Sequence, residues 1–126
     1  MDKQATLSNS EWIVMECLWE RPRTLMELVD ALGRTIGWSK STVATMVRRM
    51  EEKKIITYVM QGRTKIFSPA VTRKEVTARE TKNLLQRAYN GSMSLLISTM
   101  VQDNDLTQAD IDELVEILKK AEVEVK

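Results

Sequence analysis

The sequence of 126 residues contains no histidine and a single cysteine, Cys17. These absences exclude histidine-based acid–base or nucleophilic catalysis and a self-contained thiolate or imidazole metal site. Glycine-rich phosphate loops and nucleophile–base pairs are also missing, and the adjacent Glu51 and Glu52 would point apart on a helix. The sequence therefore indicates a protein that is not an enzyme, with no cofactor and no metal site. Apolar neighbours of Cys17 favour a buried thiol over a reactive one.

Long hydrophobic runs are lacking as well. No uninterrupted apolar segment approaches the roughly 20 residues that a membrane-spanning helix requires. The first twenty residues include Asp2 and Glu11 and do not show the apolar core of a secretory signal. We therefore expect a cytoplasmic protein with no membrane partner.

Positive charge is concentrated in one segment, although the formal net charge is only +1. Between Trp38 and Phe67, seven basic residues stand against two acidic ones, whereas the segment from Asp103 to Glu124 is acidic. A basic module joined to an acidic one fits a DNA-binding domain attached to an assembly region. Ordinary solvated charge would give the same composition, so this alternative stays open.

Four helix starts are marked by capping boxes, in which Ser or Thr is followed three residues later by Glu or Asp. The four pairs are Ser8 with Glu11, Thr24 with Glu27, Thr72 with Glu75, and Thr107 with Asp110. Glycine and asparagine that can adopt left-handed backbone predict where two of these helices stop. The predicted ends are about Trp19, Leu32 before Gly33, about Tyr89 before Asn90-Gly91, and about Glu122.

The segment between the second and fourth of these starts predicts a further helix and a hairpin. Ser39 can cap the helix, whose apolar stripe recurs at helical spacing and consists of Val43, Met46, Val47 and Met50. Residues 55–60 are rich in β-formers, residues 61–63 form a short basic turn, and residues 64–68 predict a second strand that Pro69 ends.

Three short helices followed by a basic-tipped hairpin are typical of the winged helix-turn-helix domain, whose third helix enters the major groove. Small hydroxylated side chains at the start of that helix allow close approach to base edges, while Arg48, Arg49 and Lys53 extend towards phosphates. The predicted DNA-binding residues are Ser39, Lys40, Ser41, Thr42, Thr45, Arg48, Arg49, Arg63 and Lys65. A solvated polar helix face is the alternative.

The apolar C-terminal helices predict a dimer, because a small winged domain with its own core cannot bury them. We expect a mainly α (α+β) fold, with the winged helix-turn-helix DNA-binding domain at residues 1–71 and a helical dimerisation domain at residues 72–126. An intramolecular helical cap is the alternative. The predicted dimerisation residues are Leu84, Leu85, Leu95, Leu96, Met100, Leu106, Ile111, Leu114, Val115 and Leu118.

Residues in the first and third predicted helices resemble the penicillinase-repressor family, which includes the BlaI, MecI and CopY repressors. They are Glu11, Trp12, Met15 and Trp19, then Trp38, Ser39, Thr42, Thr45 and Arg49. The resemblance covers nearly the whole chain, including residues 103–107, 110–111 and 113–114. It implies a homodimer that binds an inverted-repeat operator in double-stranded DNA and represses transcription until an inducing signal releases it.

The resemblance also bears on individual positions and on the inducing signal. It places Ser41, Thr42, Thr45 and Arg49 where the family's third helix faces DNA, and Ala44 where relatives often carry a longer polar or basic residue. The β-lactam-responsive members are cleaved at an Asn-Phe bond, but residues 98–101 read Ser-Thr-Met-Val here, which argues against that cleavage.

The copper-responsive members of the family end in a four-cysteine tail. This sequence ends at residues 124–126, about where that tail would start, so either the signal differs or the tail lies outside the sequence. The C-terminal residues resemble those of the copper-responsive branch more than those of the β-lactam-responsive branch. A winged-helix protein-interaction module without direct DNA binding is the alternative function.

Overall fold

The computed structural model describes residues 6–125, with side chains as far as residue 122. Most of these residues are helical, and a small antiparallel sheet accompanies the helices, which confirms the expected fold class. The elements are α1 (Asn9–Glu20), β1 (Arg23–Thr24), α2 (Leu25–Ile36), α3 (Lys40–Glu52), β2 (Ile56–Gln61), β3 (Thr64–Pro69), α4 (Arg73–Tyr89), α5 (Met93–Gln102) and α6 (Gln108–Val125).

The predicted helix starts are confirmed by their hydrogen bonds. In α1, the N–H of Ser8 donates to Glu11 Oε1 at 2.9 Å, and the N–H of Glu11 donates to Ser8 Oγ at 3.2 Å. Reciprocal bonds of the same kind open α2, α4 and α6. Each pair satisfies two backbone donors that the first turn of a helix leaves without partners.

The predicted end of the second helix is wrong. Gly33 lies inside α2, which continues to Ile36. The left-handed residue is Gly37, with φ of 76°, and the N–H of Trp38 donates to the carbonyl of Leu32 at 3.3 Å. A glycine inside a helix costs only about 1 kcal/mol relative to alanine, so the packed apolar face of α2 carries the helix past Gly33.

The sheet has the strand order β1-β3-β2 and is antiparallel. Gln61 faces Thr64, so Gly62 and Arg63 form a two-residue turn, and Gly62 has φ of 64° as such turns require. This hairpin was expected from the sequence, whereas the two-residue strand β1 was not. Because β1 pairs with β3, it joins the hairpin to the start of α2.

The core lies among α1, α2, α3 and the sheet. On α3, Val43, Val47 and Met50 are buried and Met46 is partly buried, as the stripe predicted. Trp12 is only partly buried and meets Trp19 edge-on, with ring centroids 5.5 Å apart. A rigid core therefore supports α3 from one side and leaves its other side exposed.

The chain divides into two compact units that meet between Asn83 and Leu84, within α4. The predicted domain boundary, between residues 71 and 72, lies at the start of that helix. In the second unit, no described residue of α5 or α6 is buried. Among the described residues, no helix has the length and apolar content needed to cross a bilayer.

Candidate nucleic-acid interface

The start of α3 carries a cluster of hydroxyl groups held by local hydrogen bonds. Ser39 Oγ accepts the backbone N–H of Thr42 at 3.2 Å and lies 3.1 Å from Ser41 Oγ and 3.0 Å from Thr42 Oγ1. All three residues are exposed. The cap thus fixes the first turn of α3, and the small side chains leave its backbone approachable.

The exposed face of α3 continues with Thr45, Arg48 and Arg49. Thr45 is partly exposed and both arginines are exposed, on the side away from Val43 and Val47. Within residues 6–125, no ion-pair partner is found for either arginine, for Lys40, or for Arg63 at the tip of the hairpin. A phosphate could be neutralised by these cations without displacing a carboxylate from them.

Lys65 differs from these cations, although the sequence placed it in the same group. Its Nζ lies 3.6 Å from Glu51 Oε2 on α3 and 4.2 Å from the centroid of the Tyr58 ring. A phosphate that bound Lys65 would have to compete with a carboxylate already present. Sequence reasoning missed this partner because Glu51 and Lys65 come together only when the hairpin folds back against α3.

Lys53 does not reach outward as expected. Its Nζ lies 2.6 Å from Oε2 of Glu11, whose side chain is buried, and Oε1 of Glu11 accepts the N–H of Ser8. A buried carboxylate needs a partner of opposite charge. The charge of Lys53 is therefore paired at the junction of α1 and α3, and a phosphate could bind it only in competition with Glu11.

A groove of about 660 Å³ lies between α3, the hairpin and the start of α2. Ala44, Arg48 and Glu51 form the α3 side, and Arg63 and Lys65 are on the hairpin side. Leu25, Met26, Val47 and Phe67 supply apolar lining. Ala44 contributes only a methyl group to this lining.

In the first compact unit, called the winged unit below, Glu16 of α1 forms an ion pair with Arg73 of α4. The hydrogen bond from Arg73 lowers the pKa of Glu16, and the guanidinium lies 4.7 Å from the centroid of the Trp19 ring. Trp19 Nε1 in turn donates to the carbonyl of Val71 at 3.0 Å. These contacts fasten the first turn of α4 to α1.

Cys17 lies next to this ion pair and is partly buried, where the sequence predicted a buried thiol. Desolvation by burial raises the pKa of the thiol, so the thiol stays protonated at neutral pH. Within the described residues, no cluster of three His, Cys, Asp or Glu side chains is arranged to hold a metal ion.

The predicted dimerisation residues all keep at least part of their surface exposed in the single chain. Leu84, Leu95, Ile111, Val115 and Leu118 are exposed, and the other five are partly buried. Residues of α5, of α6 and of the loop between them also line a largely apolar groove of about 390 Å³, and they include Met100, Leu106 and Leu114.

The family model described as penicillinase repressor matches residues 7–120. The penicillinase repressor of Bacillus licheniformis is 26% identical over 121 residues, which are 95% of this chain and 94% of that protein. The methicillin resistance regulatory protein MecI of Staphylococcus aureus strain N315 is 25% identical over 120 residues, 94% of this chain and 98% of that protein.

Among solved structures, a mutant of MepR from a Staphylococcus aureus clinical isolate matches 95% of this chain and 80% of its own, with 18% identity and a TM-score of 0.45. The match to the family model spans both units of the chain and confirms the resemblance noted in the sequence. This chain belongs to the penicillinase repressor family.

Proposed function

We propose that this protein is a homodimeric, sequence-specific transcriptional repressor that binds an inverted-repeat operator in double-stranded DNA. The observation that carries the proposal is the set of exposed arginines, Arg48, Arg49 and Arg63, for which no ion-pair partner is found in the described part of the chain. Phosphate contacts supply nearly all of the non-specific affinity and a large share of the specific affinity of such interfaces. The family relationship and the repressor names of the relatives support the same conclusion.

In this proposal α3 lies in the major groove with its first turn nearest the bases. The hydroxyl groups of Ser41, Thr42 and Thr45 bind base edges or nearby phosphates, because short side chains let the helix approach closely. Ser39 and Lys40 contact a phosphate of the DNA backbone at the start of α3, where the N–H groups of the protein backbone favour an anion. Arg48, Arg49 and Arg63 neutralise phosphates along the groove.

The second copy of the chain supplies the partner for the exposed leucines and isoleucines of α5 and α6. Burying apolar surface stabilises an interface by about 25 cal/mol per Å², and the ten predicted dimerisation residues provide such surface. In this scheme residues 1–71 bind DNA and residues 72–126 dimerise. A twofold axis then places two α3 helices about 34–36 Å apart, one turn of DNA, or a multiple of it.

An inducing signal releases the repressor from its operator in this proposal. The family resemblance implies copper or a β-lactam-type stress as the signal, and the copper branch stays a prediction. The two relatives named above carry names from the penicillin side of the family. Adding copper(I) or a β-lactam to cells that carry an operator-driven reporter, and measuring expression, separates these signals.

The test of DNA binding is a titration of the protein with duplex from its own promoter, measured by fluorescence anisotropy at several salt concentrations. The logarithm of affinity falls with the logarithm of salt by about 0.9 for each phosphate contact. Arg49→Ala removes one such contact in each chain, so the slope of a dimer should become shallower by about 1.8. Arg87→Ala removes the same charge from α4, in the second unit, and should leave the slope unchanged.

An unchanged slope for Arg49→Ala would remove Arg49 from the interface. Absence of any salt-sensitive binding by the unaltered protein, with or without added copper, would overturn the proposal. That result would favour the alternative, a winged module that binds another protein through its basic face.

A further inference from the structure

The hairpin and α3 are joined across their groove by one ion pair among the described residues, between Lys65 and Glu51. Glu51 belongs to α3 and Lys65 to β3, so the pair spans the gap that separates the two DNA-facing elements. The Lys65 and Glu51 side chains are 44% and 30% exposed, respectively. The pair is thus accessible to a competing anion but is not fully screened by water.

A second contact holds the ammonium group of Lys65 in place. The Tyr58 ring lies under Nζ at 4.2 Å, and Tyr58 packs edge-on against the buried Phe67 with centroids 6.1 Å apart. Tyr58 and Phe67 are also direct cross-strand partners. A carboxylate and a fixed aromatic face therefore hold a charge that would otherwise extend freely from the hairpin.

Glu51 also stands on the same groove as Arg48 and Arg63, the cations assigned to phosphates. Its carboxylate repels any phosphate that enters the groove, and it competes with that phosphate for Lys65. Glu52, the next residue, is more exposed and has no ion-pair partner in the described range. The two adjacent glutamates therefore carry equal charge, but of the two only Glu51 forms an ion pair among the described residues.

We propose that Glu51 is a positioning residue that withholds Lys65 from DNA phosphates and thereby lowers the number of phosphate contacts each chain makes. This inference rests on the proposed DNA-binding function. It assigns Lys65 to the support of the hairpin rather than to the interface. Weaker phosphate binding reduces affinity for duplex of any sequence, since that part of the affinity carries no sequence information.

The inference is tested by the salt dependence of binding to promoter duplex and to an unrelated duplex of equal length. Glu51→Gln keeps the shape of the side chain and frees Lys65, so the slope should become steeper by about 1.8 for a dimer. Raising the salt from 50 to 200 mM would then weaken binding by about 12-fold more than in the unaltered protein. Glu52→Gln, with the same change of charge, should leave the slope unchanged.

Lys65→Met separates release of the lysine from loss of a nearby negative charge. In the Glu51→Gln background, Lys65→Met should return the salt slope to that of the unaltered protein. Lys65→Met alone should leave the salt slope unchanged. The inference is overturned if Glu51→Gln leaves the slope unchanged, or if the added steepness survives Lys65→Met. A shallower slope for Lys65→Met alone also overturns it, and this arm does not depend on the folding of the Glu51 variant.

The unaltered protein, measured in the same titrations, distinguishes the two possible failures. If it binds promoter duplex in a salt-dependent manner while the Glu51 variant behaves identically, only the inference about Glu51 fails. If the unaltered protein binds neither duplex, the proposed function and the inference fail together.

Discussion

The two compact units differ in how much apolar surface they bury within the chain. In the winged unit, Val14, Leu28 and Val43 are 0% exposed, whereas Leu118 of α6 is 64% exposed in the second unit. Both units use the same helical spacing of apolar residues, so the spacing alone does not decide burial. The winged unit thus buries its core within one chain, whereas the apolar side chains of α5 and α6 stay accessible, as the proposed dimer requires.

The largest predicted effect comes from breaking the surface of the second unit. Leu118→Asp places a charge in the proposed dimer core, where it would lose its hydration without gaining a partner. We expect the protein to become monomeric, and operator affinity to fall by about 100-fold to 10,000-fold because the second half-site contact is no longer intramolecular. Sedimentation equilibrium gives the mass, and anisotropy gives the affinity.

Val59→Asp is the matched control for the change of mass. Val59 of β2 is 64% exposed, the same fraction as Leu118, but belongs to the winged unit. The Val59→Asp variant should remain dimeric at a concentration at which the Leu118→Asp variant is monomeric. Dimers of Leu118→Asp, or monomers of both variants, would contradict the distinction between the units.

A smaller effect is expected for Lys53, the C-cap residue of α3, whose ammonium group pairs with the buried carboxylate of Glu11. Lys53→Met leaves the buried carboxylate of Glu11 without its cation. Removing one partner of a buried pair typically costs about 3–5 kcal/mol, and because Lys53 is itself 39% exposed we expect about 1–3 kcal/mol in the free energy of unfolding. Urea denaturation measures this loss.

Lys54→Met is the control, since Lys54 is exposed and has no ion-pair partner in the described part of the chain. It should change stability little. The slope of DNA affinity against salt should stay the same for Lys53→Met. A stable Lys53→Met protein with a shallower slope would return Lys53 to the interface.

The smallest effect concerns the ion pair that fastens α4 to α1. Arg73 lowers the pKa of Glu16 in the folded protein, so the pair contributes stability above the ordinary glutamate pKa of about 4.3. That contribution is lost as the pH falls through the lowered pKa. Glu16→Gln should therefore reduce the urea midpoint slightly at pH 7 and leave it nearly equal to that of the unaltered protein in strong acid.

Glu52→Gln serves as a control here too, because it removes an exposed carboxylate for which no ion pair is found among the described residues. A difference between Glu16→Gln and the unaltered protein that grows as the pH falls would contradict the assigned direction.

Local signals in the sequence predicted the helix starts and the hairpin. A capping box such as Thr24 with Glu27 acts within four residues, and the turn at Gly62 acts within two, so neither depends on the rest of the fold. The predicted end of α2 was wrong because Gly33 and Gly37 are both able to stop a helix. The helix ends at Gly37, since packing of its apolar face extends it past Gly33.

Contacts between distant segments could not be predicted in the same way. Lys53 and Glu11 are 42 positions apart in the sequence, and Lys65 reaches Glu51 only because the hairpin folds against α3. The sequence shows only that basic residues are concentrated between Trp38 and Phe67. The fold decides which of them hold other side chains and which, like Arg49, are left to bind DNA in the proposed function.

The most direct test of the proposed dimeric repressor is the mass of the complex that it forms with promoter duplex, measured by sedimentation equilibrium. We expect two chains on each inverted repeat. We also expect that adding about five base pairs between the half-sites, half a turn of DNA, abolishes the two-chain complex. One chain per duplex, or a two-chain complex indifferent to that insertion, would contradict the proposed dimeric repressor.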